Sequence, residues 1–140
     1  MEANLQTIRD AGIVLAQLEI PIETIEFLAM LCAREGIPLI LDSAPSIELP
    51  TKIIKSVTWF TPNETEAAFY GGGEQLTFDP VAYAQTKMAW GCRGVLLKMG
   101  GRGVFLASDS EPGELVPAFP VWAIDTNVAG DAFNGASPQG

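Results

Sequence analysis

Short apolar runs alternate along this chain with longer stretches of helical period, and that alternation constrains the fold more than any other feature. IVLAQLE (13–19), IPLILD (37–42) and GVLLKM (94–99) are continuous rather than alternating hydrophobic runs. Such runs suit strands covered on both faces, as in a parallel sheet between helices. Between the first two lies PIETIEFLAMLCAREG (21–36), where Ile22, Ile25, Phe27, Leu28, Leu31 and Cys32 form a helical stripe. Pro21 suits its first turn and Gly36 its stop. SAPSIELP (43–50) reads as a loop, and TKIIKSV (51–57) as a short helix leading into TWF (58–60). Residues 79–91 are again helical, with Val81, Ala84 and Met88 on one face, and VFLAS (104–108) follows GGRG as an antiparallel neighbour of 94–99. The β-α-β-α-β order predicts an α/β fold: a mainly parallel sheet flanked by helices on both sides. No repeat, low-complexity tract or linker divides the chain, so residues 1–140 are read as one α/β domain.

Composition enters mainly by exclusion. With 17 acids against 8 bases and a net charge of −9, the chain has no basic face for phosphate neutralisation, and nucleic acid is excluded as a partner. The absence of histidine removes the commonest general base and metal ligand, leaving carboxylates, backbone amides, lysine, arginine and bound ions for any chemistry. Cys32 and Cys92 lack metal or redox spacing and are read as buried thiols. No basic-then-apolar leader and no membrane-length apolar run occur, so no membrane partner and a cytoplasmic location are expected. Met30, Met88 and Trp90 are assigned to the core, and Gly71 to Gln75 to a loop, since those glycines follow a helix rather than a strand.

Ligands of open α/β sheets bind beyond the carboxyl ends of the strands. Glu19, Asp42, the segment from Asn63 to Glu66, that from Lys98 to Gly103 and that from Asp125 to Asp131 all fall there. Asn63 with Glu66 three residues on satisfies the capping-box pattern, which by itself marks a helix start. A helix mouth beside a carboxylate is also a place for hydrated magnesium and phosphates. Gly100 and Gly101 make a hairpin turn, or else bare backbone that a nucleotide can approach, with Lys98 and Arg102 supplying positive charge. Ala129, Gly130 and Asp131 entering a helix present unpaired N–H groups that can surround a transferring phosphoryl group. Asp131 stands where it can accept a proton from an attacking hydroxyl, or simply cap the helix.

Taken in order, LAQLEIPIETI, LILDSAPS, FTPNETEA, GVLLKMGGRGVFL and DTNVAGDAFNGA resemble the ribokinase-like (phosphofructokinase-B type) family of carbohydrate kinases. The resemblance implies a partial Rossmann-type fold and ATP-dependent phosphorylation of a sugar hydroxymethyl group, with a small sugar as partner. It implies Asp131 as catalytic base and the amides of Ala129 and Gly130 as an anion hole. Asn63 matches a nucleotide contact and Glu66 the acid linked to Mg2+. Lys98, Gly100, Gly101, Arg102 and Gly103 match the segment lining the ATP phosphates and ribose. Glu19 matches a sugar contact, and Asp125 and the Asn127 carbonyl the place of an activating monovalent cation such as K+.

The chain departs from the family pattern in four respects. It carries no glycine-rich sugar signature or β-lid, and nothing beyond the catalytic turn. Val128 stands where the family prefers a small residue, and Asp42 where it usually carries asparagine. Pro138 would interrupt the last helix, and residues 137–140 are read as an abrupt end. The expectation is therefore a fragment, without the amino-terminal half and lid, that has little or no activity by itself. The alternative is a non-catalytic module that folds, binds nucleotide weakly and forms homo-oligomers through exposed sheet edges.

Overall fold

The computed structural model describes residues 2–72 and 78–120. Within them the order is α1 (Glu2–Arg9), β1 (Val14–Gln17), α2 (Ile22–Glu35), β2 (Leu39–Asp42), α3 (Thr51–Ser56), β3 (Trp59–Phe60), α4 (Glu64–Ala67), α5 (Pro80–Ala89), β4 (Gly94–Lys98), β5 (Val104–Ser108) and β6 (Glu114–Val116). The six strands form one sheet in sequence order, β1 to β4 parallel and β5 and β6 antiparallel. The expected α/β fold with a mainly parallel sheet is thus the one found.

Register places Ala16, Leu41, Phe60, Val95 and Ala107 in one row across five strands. All five join a single apolar cluster with Ile25, Ala29 and Cys32 of α2, Ile53 and Ile54 of α3, and Tyr83 and Ala84 of α5. The crossover helices therefore share one face, and do not flank the sheet on both sides as the element order predicts. That follows from the topology, because right-handed crossovers between strands laid down in one direction fall on the same side. The opposite row runs Leu15, Ile40 and Trp59. Ile40 is buried there, but Leu15 on the edge strand is 47% exposed. β1 is consequently not the doubly covered strand its apolar run predicts, whereas β2, with neighbours on both sides, is buried throughout.

Local signals act as expected at the helix ends. Gly36 is left-handed (φ 71°) and its N–H reaches the Cys32 carbonyl, which closes α2. Asp79 caps α5 by accepting from the N–H groups of Val81 (2.9 Å) and Ala82 (3.4 Å). Both cysteines are buried free thiols, and burial raises each, Cys92 to about 11.

Several expected core positions are not core. Phe27, Met30, Val81 and Trp90 are exposed. On α2 the buried set is Ile25, Ala29, Leu31 and Cys32, and Phe27 and Met30 project away from the sheet. α5 instead buries Tyr83, Ala84 and Lys87. Desolvation lowers the Lys87 amine to about 8. Its Nζ donates to the Tyr70 carbonyl and lies 3.4 Å from the Trp90 ring centroid and 5.1 Å from that of Tyr83. Trp90 thus serves as a lid over a buried ammonium rather than as core filling. Helix α1 and strand β6 have no counterpart in the sequence reading, and Gly71 lies in an irregular turn, Ala68–Gly72.

Candidate functional site at the carboxyl ends of the strands

Three chain segments meet beyond the carboxyl ends of β2, β3 and β4. β2 delivers Asp42 and then Ser43, which are 1% and 0% exposed. β3 leads through Thr61 and Pro62 to Asn63, the cap of α4. There the box predicted from sequence is fully formed: Asn63 Oδ1 accepts from the Glu66 N–H at 2.8 Å, and Glu66 Oε2 accepts from the Asn63 N–H at 2.9 Å. β4 brings Lys98 alongside, its N–H bonded to the Pro62 carbonyl at 2.8 Å and its backbone bridged to Asn63.

The two buried carboxylates here are satisfied differently. Asp42 meets an ammonium: Lys98 Nζ lies 3.4 Å from Oδ1 and 3.3 Å from Oδ2. Glu66 is 7% exposed and takes three neutral donors. These are the Asn63 N–H, Asn63 Nδ2 at 3.0 Å on Oε1, and Ser43 Oγ at 2.8 Å on Oε2. No lysine or arginine among the described residues lies within ion-pair distance of Glu66. Its charge is therefore held by dipoles and not cancelled.

No group of three or more acidic or thiol ligands occurs among the described residues, so a metal cage built wholly of side chains is absent from them. A single uncancelled carboxylate suits a cation that keeps its waters and shares its coordination with phosphates, which is the habit of Mg2+. Glu66 fits that role in its donor chemistry.

The glycine-rich turn divides in two. A Cβ on Gly100 or Gly101 would meet nothing within 4 Å, so this backbone is open to an approaching molecule. Gly103 has φ 102°, and a Cβ there would fall 2.0 Å from the Val116 carbonyl oxygen. Gly103 is required by the approach of β6, a reason internal to the chain. The expected cations are also engaged. Lys98 faces Asp42, and Arg102 pairs with Glu64 at the start of α4. The Arg102 pair is solvent-exposed and so contributes little to stability, whereas Lys98, with its side chain 14% exposed, is buried against Asp42.

Glu19 is exposed in the turn after β1 at the same end of the sheet. The neighbouring Leu18 N–H binds the Ala44 carbonyl at 3.0 Å, which ties that turn to the loop after Asp42. Asp125, Asn127, Val128, Ala129, Gly130, Asp131 and residues 137–140 lie outside the described residues. The sequence pattern marks Asp42 by its place after β2 and as a departure from the family, but gives it no role and does not mark Ser43 at all. The available signal was an acid and a hydroxyl placed together directly after a fully apolar run. Among the described residues no helix is long and apolar enough to cross a membrane.

A mainly parallel α/β sheet with its polar groups gathered beyond the strand ends belongs to the class of open α/β folds, in which ligands bind at that edge. The particular family follows from the sequence: the model of the pfkB family carbohydrate kinases matches residues 3–137, and the chain belongs to that family. It is 36% identical over 137 residues to a bifunctional ribokinase/ribose-5-phosphate isomerase A of Fructilactobacillus sanfranciscensis, covering 97% of this chain and 25% of that protein. It is 33% identical to a ribokinase of Schizosaccharomyces pombe, covering 97% of this chain and 44% of the relative. Among solved structures, Arabidopsis thaliana ribokinase complexed with ribose and ATP superposes with a TM-score of 0.89 at 31% identity, over 97% of this chain and 45% of that one. The chain thus spans less than half the length of these relatives.

Proposed function

We propose that this chain carries the nucleotide-binding and catalytic part of a sugar kinase, which transfers the γ-phosphoryl group of Mg-ATP to the hydroxymethyl group of ribose or a similar small sugar. The observation that supports it most is the Ser43–Glu66–Asn63 network, joined through the Asn63–Lys98 bridge and the Arg102–Glu64 pair to the turn in which Gly100 and Gly101 leave open space. It unites an uncancelled carboxylate with an approachable glycine turn at the edge where α/β sheets bind ligands. The similarity to a ribokinase complexed with ribose and ATP supports the same substrates.

In this reading Asn63 and the 98–103 segment contact the nucleotide, and Arg102 exchanges Glu64 for phosphate oxygens. Glu66 would hold Mg2+, which when bound would draw off phosphoryl charge. Asp131 takes the proton of the attacking hydroxyl while the amides of Ala129 and Gly130 face the transferring group. Glu19 contacts the sugar, and Asp125 with the Asn127 carbonyl holds K+. Phosphorylation of ribose is to be measured in the full-length protein that contains this chain and in its Asp131→Asn form. A loss of at least ~1,000-fold in kcat supports the assignment, and equal rates sink it.

The 140 residues alone are expected to turn over little or no sugar, because the sequence contains no glycine-rich sugar signature. A second reading, a module that binds nucleotide weakly and self-associates, draws on the exposed Leu15 of edge strand β1. Calorimetry of the chain with Mg-ATP separates the two: Mg2+-dependent binding of ATP supports the kinase reading, whereas no heat of binding and no turnover leaves the module standing.

A further inference from the structure

Two buried carboxylates lie at this edge, and they are satisfied in opposite ways. Asp42 is matched by the Lys98 ammonium, while the next residue, Ser43, hands a neutral hydroxyl to Glu66. Of the three donors on Glu66, two come from Asn63, three residues away on the same helix start. Ser43 is 23 residues distant and belongs to the end of β2, so its bond is what registers the carboxylate against the sheet. Ser43 is fully buried, so no water competes for its hydroxyl. Oε2 has two donors and Oε1 one, which leaves Oε1 as the oxygen with capacity to spare.

We propose that Ser43 is a positioning residue for Glu66, fixing its carboxylate so that Oε1 is presented to the water shell of a divalent cation; this rests on the kinase reading above. The hydroxyl suits the task because it orients the carboxylate without cancelling its charge, as an ammonium in the same place would. Mg2+ demands near-ideal octahedral geometry, so a few tenths of an ångström in the carboxylate matter to it. Outer-shell partners that orient a metal-linked group have effects of this kind on affinity.

The test is calorimetric titration of Mg2+ into the 140-residue chain with ATP present, for the wild type and for Ser43→Ala and Ser43→Cys. ATP binding without metal and the thermal unfolding midpoint are measured in parallel. Ser43→Ala is expected to weaken Mg2+ binding about tenfold and to leave metal-free ATP binding unchanged. Ser43→Cys keeps the volume and a feebler donor, is expected to fall between, and carries the comparison should the alanine form not fold. If Mg2+ affinity in the variants stays within about twofold of wild type, or if metal-free ATP binding falls equally, the positioning role is overturned while the kinase reading stands. If the wild-type chain shows no metal-dependent ATP binding, both fall together.

Discussion

Lys98→Met is the most informative single substitution in this structure. The side chains of Lys98 and Asp42 are 14% and 2% exposed, and their closest approach is 3.3 Å. At an effective dielectric of about 20, unit charges at that distance attract by about 5 kcal/mol before desolvation is counted. Much of that attraction is offset by the cost of taking both ions out of water. Removing the ammonium alone forfeits the attraction while the more deeply buried carboxylate keeps its desolvation cost, and breaking a buried pair in this way typically costs about 3–5 kcal/mol. For a domain of this size that is a drop in midpoint of roughly 10–15 °C. Asp42→Asn should cost less, since Lys98 is the more exposed partner. Asp42→Asn/Lys98→Met removes both charges and should recover most of the loss. The assay is urea and thermal unfolding of the four proteins. A coupling energy below about 0.5 kcal/mol, or a double variant no more stable than Lys98→Met, would refute the claim that Lys98 serves Asp42.

Two further outcomes follow from other parts of the chain. Lys87 is lowered to about 8 by desolvation, so on this group the unfolded chain binds more protons above that pH, and Lys87 alone contributes a rise of about 1 kcal/mol between pH 8 and 9, from which the cysteines already subtract part. Past about pH 9 the trend should reverse, because Cys32, Cys92, Tyr70 and Tyr83 are raised by burial and hold their protons longer folded than unfolded; Lys87→Met should abolish the rise, as read from midpoints across pH. Gly103→Ala should destabilise by roughly 2–4 kcal/mol through positive φ and collision with β6, whereas Gly101→Ala, in open space, should cost about 1 kcal/mol or less. Equal midpoints for the two variants would contradict that division of the turn.

The fold was legible because its signals are local. Continuous apolar runs, Asn63 as a cap and Gly36 as a stop each act within a few residues, and each appears in the structure where the pattern places it; Asp79, read as the first residue of its helix, is the cap instead. β6 escaped notice because all three of its residues are exposed, so no apolar pattern marks it; it is defined by pairing with β5. Trp90 and Met30 were misassigned because hydrophobicity alone does not say which side of a helix faces the sheet.

The site was legible in part, and the division has one physical cause. The sequence by itself determined the order of elements from β1 to β5, the strand ends where polar residues gather, and the Asn63–Glu66 box, because these depend on spacing along the chain. Only the tertiary structure decided that Lys98, 56 residues from Asp42, is spent on that carboxylate, and that Ser43 orients Glu66. It likewise decided that Gly103 serves β6 while Gly100 and Gly101 stay open. Those choices depend on which strand ends the sheet brings within hydrogen-bonding distance, and sheet register is a property of pairing between distant segments that no local pattern encodes.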